Sequence, residues 1–121
     1  MAVVIAANRT RHPLDARTLA RLASQYAGRG VVGFGLSNDE RRGRTEEFRG
    51  AFDIARRADL MLVPHGGELR GPAHVATCLD ALGPTRLGHG VLARVARFFF
   101  PRHAVGLLEV GELQCDGGAA G

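Results

Sequence analysis

Residues 60–68 read LMLVPHGGE, a short apolar run that ends in a histidine, two glycines and a glutamate. Four consecutive apolar residues are typical of a β-strand that is buried on both faces. The two glycines between His65 and Glu68 allow the backbone to turn sharply and leave space beside the imidazole and the carboxylate. In α/β proteins, ligands bind just beyond the carboxyl ends of the strands. The sequence therefore predicts a strand over residues 60–63 and a ligand site directly after it.

Apolar runs of the same kind recur on both sides of this stretch. We predict strands over residues 2–7 and 31–34, and a fourth short strand that begins at Leu87, with an amphipathic helix in each interval. Strand starts about 25 to 30 residues apart are typical of successive βα units in a parallel sheet or barrel. Right-handed crossovers place the carboxyl ends of all strands on one side. The loops after the four strands are therefore predicted to share one rim; they start at Asn8, Ser37, His65 and Gly88.

The helices are predicted from apolar residues that recur every three or four positions and would face the sheet. The first helix is expected to be capped by Asp15, the second by Thr45. The three inner stripes are Leu19, Leu22, Ala23 and Tyr26; Phe48, Ala51, Phe52 and Ala55; and Val75, Cys78, Leu79 and Leu82. His74, in the first turn of the third helix, is predicted to be exposed. His12 precedes the first helix, at a position that suits either a surface residue or one on the substrate side.

Composition and charge narrow the class of protein. The chain has a net charge of +4 and no lysine, and its arginines are scattered among acidic residues, which argues against a nucleic-acid-binding surface. Cys78 and Cys115 lack a Cys-x-x-Cys spacing, as is typical of a reduced, cytoplasmic protein. No apolar run approaches the length of a membrane span, and the sequence shows no signal peptide. We expect a cytoplasmic protein with no nucleic-acid or membrane partner.

Three motifs together carry a family resemblance. FGLSNDE at residues 34–40, HGGE at 65–68 and GHG at 88–90, in this order and at this spacing, closely resemble adenosine deaminases, most of all the bacterial branch. The resemblance covers roughly residues 3–91. It implies a (β/α)₈ TIM barrel with one Zn²⁺ ion and a purine nucleoside substrate. The implied reaction is hydrolytic removal of the 6-amino group of adenosine, which gives inosine and ammonia in purine salvage.

The resemblance also implies roles for four residues. His65 matches one of the zinc ligands, and zinc-bound water becomes a hydroxide near neutral pH that attacks C6 of the purine. Glu68 matches the proton donor, which protonates N1 and so makes C6 electrophilic. His89 matches the histidine that orients the attacking water and helps to deprotonate it. Asn38 stands where the family commonly has a glycine whose main chain touches the purine, and asparagine tolerates positive φ better than most residues.

Other family features are absent from the sequence. It contains no His-x-His pair and no matching aspartate for the remaining zinc ligands, and a catalytic zinc needs three protein ligands. The family pattern begins at barrel strand three and is lost after strand six. We therefore predict a partial barrel of about four βα units in residues 1–91, followed by a divergent segment, residues 92–121. That segment is expected to hold one strand within residues 104–110 and to be disordered from Cys115 onward.

Two hypotheses about function remain open at this point. In the first, the chain is part of a zinc adenosine deaminase. In the second, it is an inactive remnant, or a fragment that associates with another chain through its exposed strand edges. The residues do not distinguish adenosine from adenine or a related 6-aminopurine.

Overall fold

A computed structural model describes residues 2–66, 70, 72–89, 104–107 and 112–116. Its strands are β1 (Val3–Asn8), β2 (Val31–Ser37), β3 (Met61–Leu62), β4 (His65–Gly66), β5 (Arg86–His89), β6 (Ala104–Leu107) and β7 (Glu112–Asp116). Its helices are α1 (Pro13–Gln25), α2 (Arg49–Arg57) and α3 (Pro72–Leu82), and a 3₁₀ turn at Thr45–Phe48 leads into α2.

Parallel strands alternate with helices through residue 89, so the predicted α/β class is confirmed. One sheet has the order β1-β2-β3, with both pairs parallel. In the second sheet, β4 pairs in parallel with β5, and the order is β4-β5-β7-β6. Asn8 lies opposite Ser37 in the β1–β2 register, so these two strands end at the same side.

The predicted strand over residues 60–63 is wrong in its extent and in its burial. Only Met61 and Leu62 pair with β2, and the chain then changes partners, because Pro64 has no N–H to give to a ladder. Leu62 lies at the change: its carbonyl accepts from the Thr85 amide at 2.8 Å, close to the start of β5. Leu62 is 2% exposed and Met61 is 37% exposed, so only the helix-facing side of the strand is buried.

The core lies between the first sheet and the helices. Phe34 of β2 and Phe52 of α2 meet edge to face with ring centroids 5.2 Å apart, a favourable arrangement for two aromatic rings. The inner stripes predicted for the second and third helices are confirmed, since all eight of their residues are buried. α3 ends at Leu82, directly before Gly83 and Pro84.

The prediction for the first helix is partly wrong. Its buried residues are Ala16, Ala20 and Ala23, whereas Leu22 and Tyr26 are 44% and 47% exposed. Small side chains let α1 approach its neighbours closely. Its N-cap is His12, not Asp15: the exposed His12 ring accepts a hydrogen bond from the Leu14 amide through Nδ1 at 3.1 Å.

Beyond residue 89, the structure describes two antiparallel strands. β7 pairs with β5, with Leu113 opposite Leu87, and β6 pairs with β7. The strand expected within residues 104–110 is present as β6. β7 extends through Cys115 and Asp116, where the sequence had suggested disorder. The other residues of segment 92–121 lie outside the described residues, and its division from the barrel part stays a prediction. No helix in the described part of the chain is long and apolar enough to cross a membrane.

Gly43 provides the first test of this architecture. Its φ is +71°, and a Cβ built on it would lie 2.1 Å from the carbonyl oxygen of Arg9. Gly28 has a similar φ of +77° but open space around it, so it is a matched control. We expect Gly28→Ala to cost about 1–2 kcal/mol of unfolding free energy through backbone strain. Gly43→Ala should cost about 1–3 kcal/mol more, because the Arg9 main chain must move. If Gly28→Ala and Gly43→Ala lost the same unfolding free energy in urea, the close packing of Gly43 against Arg9 would be contradicted.

Candidate active site

The sheet face that turns away from the helices forms the wall of an open cavity of about 300 Å³. Its lining residues are Val4, Ala6, Gly35, Leu36, Ser37, Met61, Val63, His65 and Arg86. A Cβ on Gly35 would lie 3.1 Å from the carbonyl oxygen of Val63, so any larger residue there would crowd the wall. The cavity is mostly apolar, and Ser37, His65 and Arg86 are the polar residues of its lining.

The two predicted histidines lie on neighbouring strands. His65 is opposite Gly88 and Gly66 is opposite His89 in the parallel β4–β5 pair, so both histidine-bearing strands run in the same direction and end together. This placement agrees with the predicted shared rim. The structure describes the backbone of His89 and not its side chain, and Glu68 lies outside the described residues. Whether the side chains of His65, Glu68 and His89 converge stays a prediction.

Asn38 directly follows β2 and is exposed. Its φ is +77°, in the left-handed region that favours glycine, and its side chain Nδ2 lies 3.5 Å from Ser37 Oγ. The family resemblance places Asn38 where a glycine is common, and the backbone adopts a glycine-like conformation there.

Beneath the rim lies a group of buried polar side chains that the sequence analysis missed. We call Arg9, Glu40, Thr45 and His74 the rim cluster; their exposures are 0%, 1%, 2% and 5%. Arg9 donates from Nη1 to Thr45 Oγ1 and from Nη2 to the main-chain carbonyl of His65, both at 3.1 Å. His74 Nε2 lies 3.0 Å from Thr45 Oγ1. These contacts join residues that follow β1 and β2 to strand β4 and helix α3.

Glu40 completes the cluster. Its Oε1 accepts a hydrogen bond from the Arg70 amide, and its Oε2 lies 3.5 Å from His74 Nδ1. The second contact is within ion-pair range but lacks hydrogen-bond geometry, since Nδ1 has no hydrogen-bond partner among the described residues. A carboxylate only accepts, so we assign the proton of a neutral His74 to Nδ1. Its Nε2 then accepts from the Thr45 hydroxyl.

Burial controls the ionisation of this cluster. It lowers the pKa of His74; the Arg9 and Arg70 charges lower it further, whereas Glu40 opposes the shift. Burial also lowers the pKa of Arg9, although an arginine stays protonated in proteins. Cys78, with Sγ 3.8 Å from His74 Nε2, has its pKa raised by burial to about 11, so it is a neutral thiol near pH 7.

Two sequence predictions are corrected by these contacts. His74 is not exposed, and Thr45 does not cap a helix, because the N-cap of the 3₁₀ turn is Arg44 and Thr45 binds Arg9 and His74 instead. A signal for His74 was present: it lies four residues before Cys78, on the face predicted to be buried. Arg9 and Glu40 also follow strands on the predicted rim, but nothing local shows that their charges are buried.

The lowered pKa of His74 predicts how stability depends on pH. In the unfolded chain, His74 takes up a proton near its ordinary pKa of about 6.5, and in the folded chain only at lower pH. The unfolded state thus binds more protons in that interval, and stability falls as the pH drops below about 6.5. We expect His74→Gln to flatten the unfolding free energy between pH 7 and pH 5, measured with urea. His12→Gln, at the exposed N-cap, is the control, and an unchanged pH dependence in His74→Gln would contradict the assignment.

The described residues do not by themselves fit a metal centre. No group of three or more histidine, cysteine, aspartate or glutamate residues within the described ranges could hold an ion. His65 is a single candidate ligand at the edge of the cavity, and a catalytic zinc takes three from the protein.

Comparison with known proteins identifies the family. The family model described as adenosine deaminase matches residues 1–97. The chain belongs to the adenosine deaminase family. A putative adenosine/adenine deaminase of Streptomyces coelicolor is 67% identical over 93 residues, which is 77% of this chain and 27% of that protein. The chain therefore spans about a quarter of the length of this relative.

Solved structures agree with the family. The Arabidopsis N6-mAMP deaminase matches with a TM-score of 0.71 and 27% identity, over 80% of this chain and 29% of the other. A Burkholderia ambifaria amidohydrolase with bound Zn has a TM-score of 0.72 at 24% identity, over 80% of this chain and 28% of the other; this similarity shows the fold alone. Both solved structures are TIM barrels, so the prediction of a partial barrel is confirmed for this adenosine deaminase family chain.

Proposed function

We propose that the chain forms part of a zinc-dependent deaminase that hydrolyses the 6-amino group of adenosine or adenine in the cytoplasm. The observation that carries this proposal is the parallel β4–β5 pair, which brings the His65 and His89 strands together at the edge of an open cavity. The chain's membership in the adenosine deaminase family supports hydrolytic deamination as the reaction class. The relative named as an adenosine/adenine deaminase leaves both purines open as substrates.

Each site residue has a defined task in this proposal. His65 would supply one zinc ligand, and the other ligands would come from parts of the barrel outside this sequence. Zinc, when bound, supplies a water that ionises near neutral pH. Glu68, protonated, donates its proton to N1 of the purine, which makes C6 electrophilic. His89 orients the attacking water and takes up its proton. Asn38 presents its main chain to the purine ring, for which its left-handed backbone is suited.

A graft tests the proposal directly. Residues 3–89 of this chain would replace the matching segment of the Streptomyces coelicolor relative; we call this protein the grafted barrel. High identity over this region favours a folded product. We expect it to bind about one zinc per chain and to form inosine from adenosine or hypoxanthine from adenine. The unmodified relative is the control. A folded grafted barrel that acts on neither purine would overturn the proposal.

One observation favours the second candidate, association with another chain. Val4 and Met61 are 45% and 37% exposed on the cavity face of the sheet, where a complete barrel would cover them. A fragment with such a face could be completed by a second chain that supplies further strands. Mixing this chain with the separately expressed remainder of the relative would test it. Co-elution as a 1:1 complex in size-exclusion chromatography is expected, and separate elution would reject it.

A further inference from the structure

We infer that Arg9 and Glu40 are positioning residues that hold the main chain at His65 and at Arg70, the two ends of the stretch of sequence that contains Glu68. The inference rests on the roles proposed above for His65 and Glu68. It adds two buried residues that act through main-chain groups.

Arg9 holds the first end. Its guanidinium is 0% exposed and donates from Nη2 to the carbonyl oxygen of His65 at 3.1 Å. A guanidinium is planar, and its donors keep fixed directions, so this bond fixes the orientation of the His65 peptide and hence where its ring can reach. The main chain of Arg9 is itself confined, because its carbonyl is packed closely against Gly43.

Glu40 holds the second end. Its carboxylate accepts the hydrogen bond of the Arg70 amide, and a charge-assisted bond of this kind is stronger than one between neutral groups. Arg9 follows β1 and Glu40 follows β2, so the two ends of the segment are attached to different strands of the first sheet.

The rim cluster also connects the two tethers. Thr45 Oγ1 accepts from Arg9 at 3.1 Å and lies 3.0 Å from His74 Nε2. His74 Nδ1, in turn, lies 3.5 Å from Glu40 Oε2. The contacts form a continuous path from Arg9 through Thr45 and His74 to Glu40.

Stability alone does not explain this arrangement. Two buried charges cost several kcal/mol in desolvation, and apolar residues of the same volume often serve a core as well or better. In addition, Nε of Arg9 has no hydrogen-bond partner within the described residues, which adds to the cost. What apolar residues cannot supply is a directed hydrogen bond to the His65 carbonyl and to the Arg70 amide.

The kinetic test uses the grafted barrel. A misplacement of about 1 Å can cost about a hundredfold in rate, so we expect Arg9→Met to lower kcat by about that factor. KM should change less than about threefold, since Arg9 is fully buried, and zinc should stay bound, since the substitution removes no candidate ligand. Arg9→Lys, which keeps a charge and a donor, should recover part of the kcat. Glu40→Leu should behave as Arg9→Met, and Glu40→Gln, which keeps an acceptor oxygen, should be milder.

Arg17→Met is the matched control, because Arg17 is exposed on α1 and lies outside the rim cluster. We expect it to leave kcat unchanged. A folded Arg9→Met variant with unchanged kcat would overturn the inference. The inference would also be overturned if Arg9→Lys and Arg9→Met lowered kcat equally and only in proportion to the fraction of folded protein. A purely structural role would give that result.

A second measurement separates this inference from the proposed function. Amide hydrogen exchange at Gly66 and Arg70, in the 121-residue chain and in the grafted barrel, should accelerate about tenfold or more in Arg9→Met, while exchange in α2 stays unchanged. If the unmodified grafted barrel is inactive, the proposed function fails. The exchange measurement then tests by itself whether Arg9 holds the main chain in place. Unchanged exchange at both amides would overturn it.

Discussion

Replacing Glu68 by glutamine in the grafted barrel is expected to lower turnover by about 10²–10⁴-fold and to leave the zinc content unchanged. Glutamine has nearly the shape of a protonated glutamic acid, but its amide does not release a proton to N1 of the purine. Without that proton, C6 is a poor electrophile. The measurement is the rate of inosine or hypoxanthine formation, together with metal analysis of the same preparation.

His65→Ala is the matched comparison for this prediction. It removes a ligand rather than the acid, so we expect it to lose zinc and turnover together. The two variants differ in one readout, the bound metal, and this separates the proposed roles. If Glu68→Gln kept its rate, or lost its zinc as His65→Ala does, the assignment of Glu68 as the proton donor would be wrong.

The 121-residue chain by itself is expected to bind far less than one equivalent of zinc and to release no ammonia from adenosine or adenine. His65 is one ligand where three are needed, and no further group of ligands is assembled within the described residues. Without the metal, no hydroxide forms near neutral pH, so Glu68 and His89 have no activated water to work with.

The measurement for this second prediction is metal content after dialysis against micromolar zinc, with the grafted barrel measured in parallel. Addition of the remainder of the relative as a separate chain should restore both zinc binding and turnover if the two parts close one barrel. Zinc near one equivalent and steady turnover in the 121-residue chain alone would contradict the expectation and point to ligands among the residues outside the described ranges.

Local sequence patterns were sufficient to predict the helices in which buried residues recur with the helical period. The stripes of α2 and α3 were predicted residue by residue, because apolar side chains at three- and four-residue spacing face one way. The parallel order of the strands followed from the spacing of the apolar runs. The motifs around His65 and His89 were sufficient for the family, and the structure places their strands side by side.

Tertiary packing determined structural features that local sequence patterns do not predict. In α1, close packing buries alanines and leaves Leu22 and Tyr26 exposed, although all are apolar. Near Pro64, the strand changes partners, because a proline has no N–H for the ladder. The rim cluster depends on contacts between residues 29, 36 and 56 positions apart, so the burial of Arg9 and His74 follows from the fold and not from their neighbours in sequence. A charged side chain becomes buried only where distant residues supply its hydrogen-bond partners.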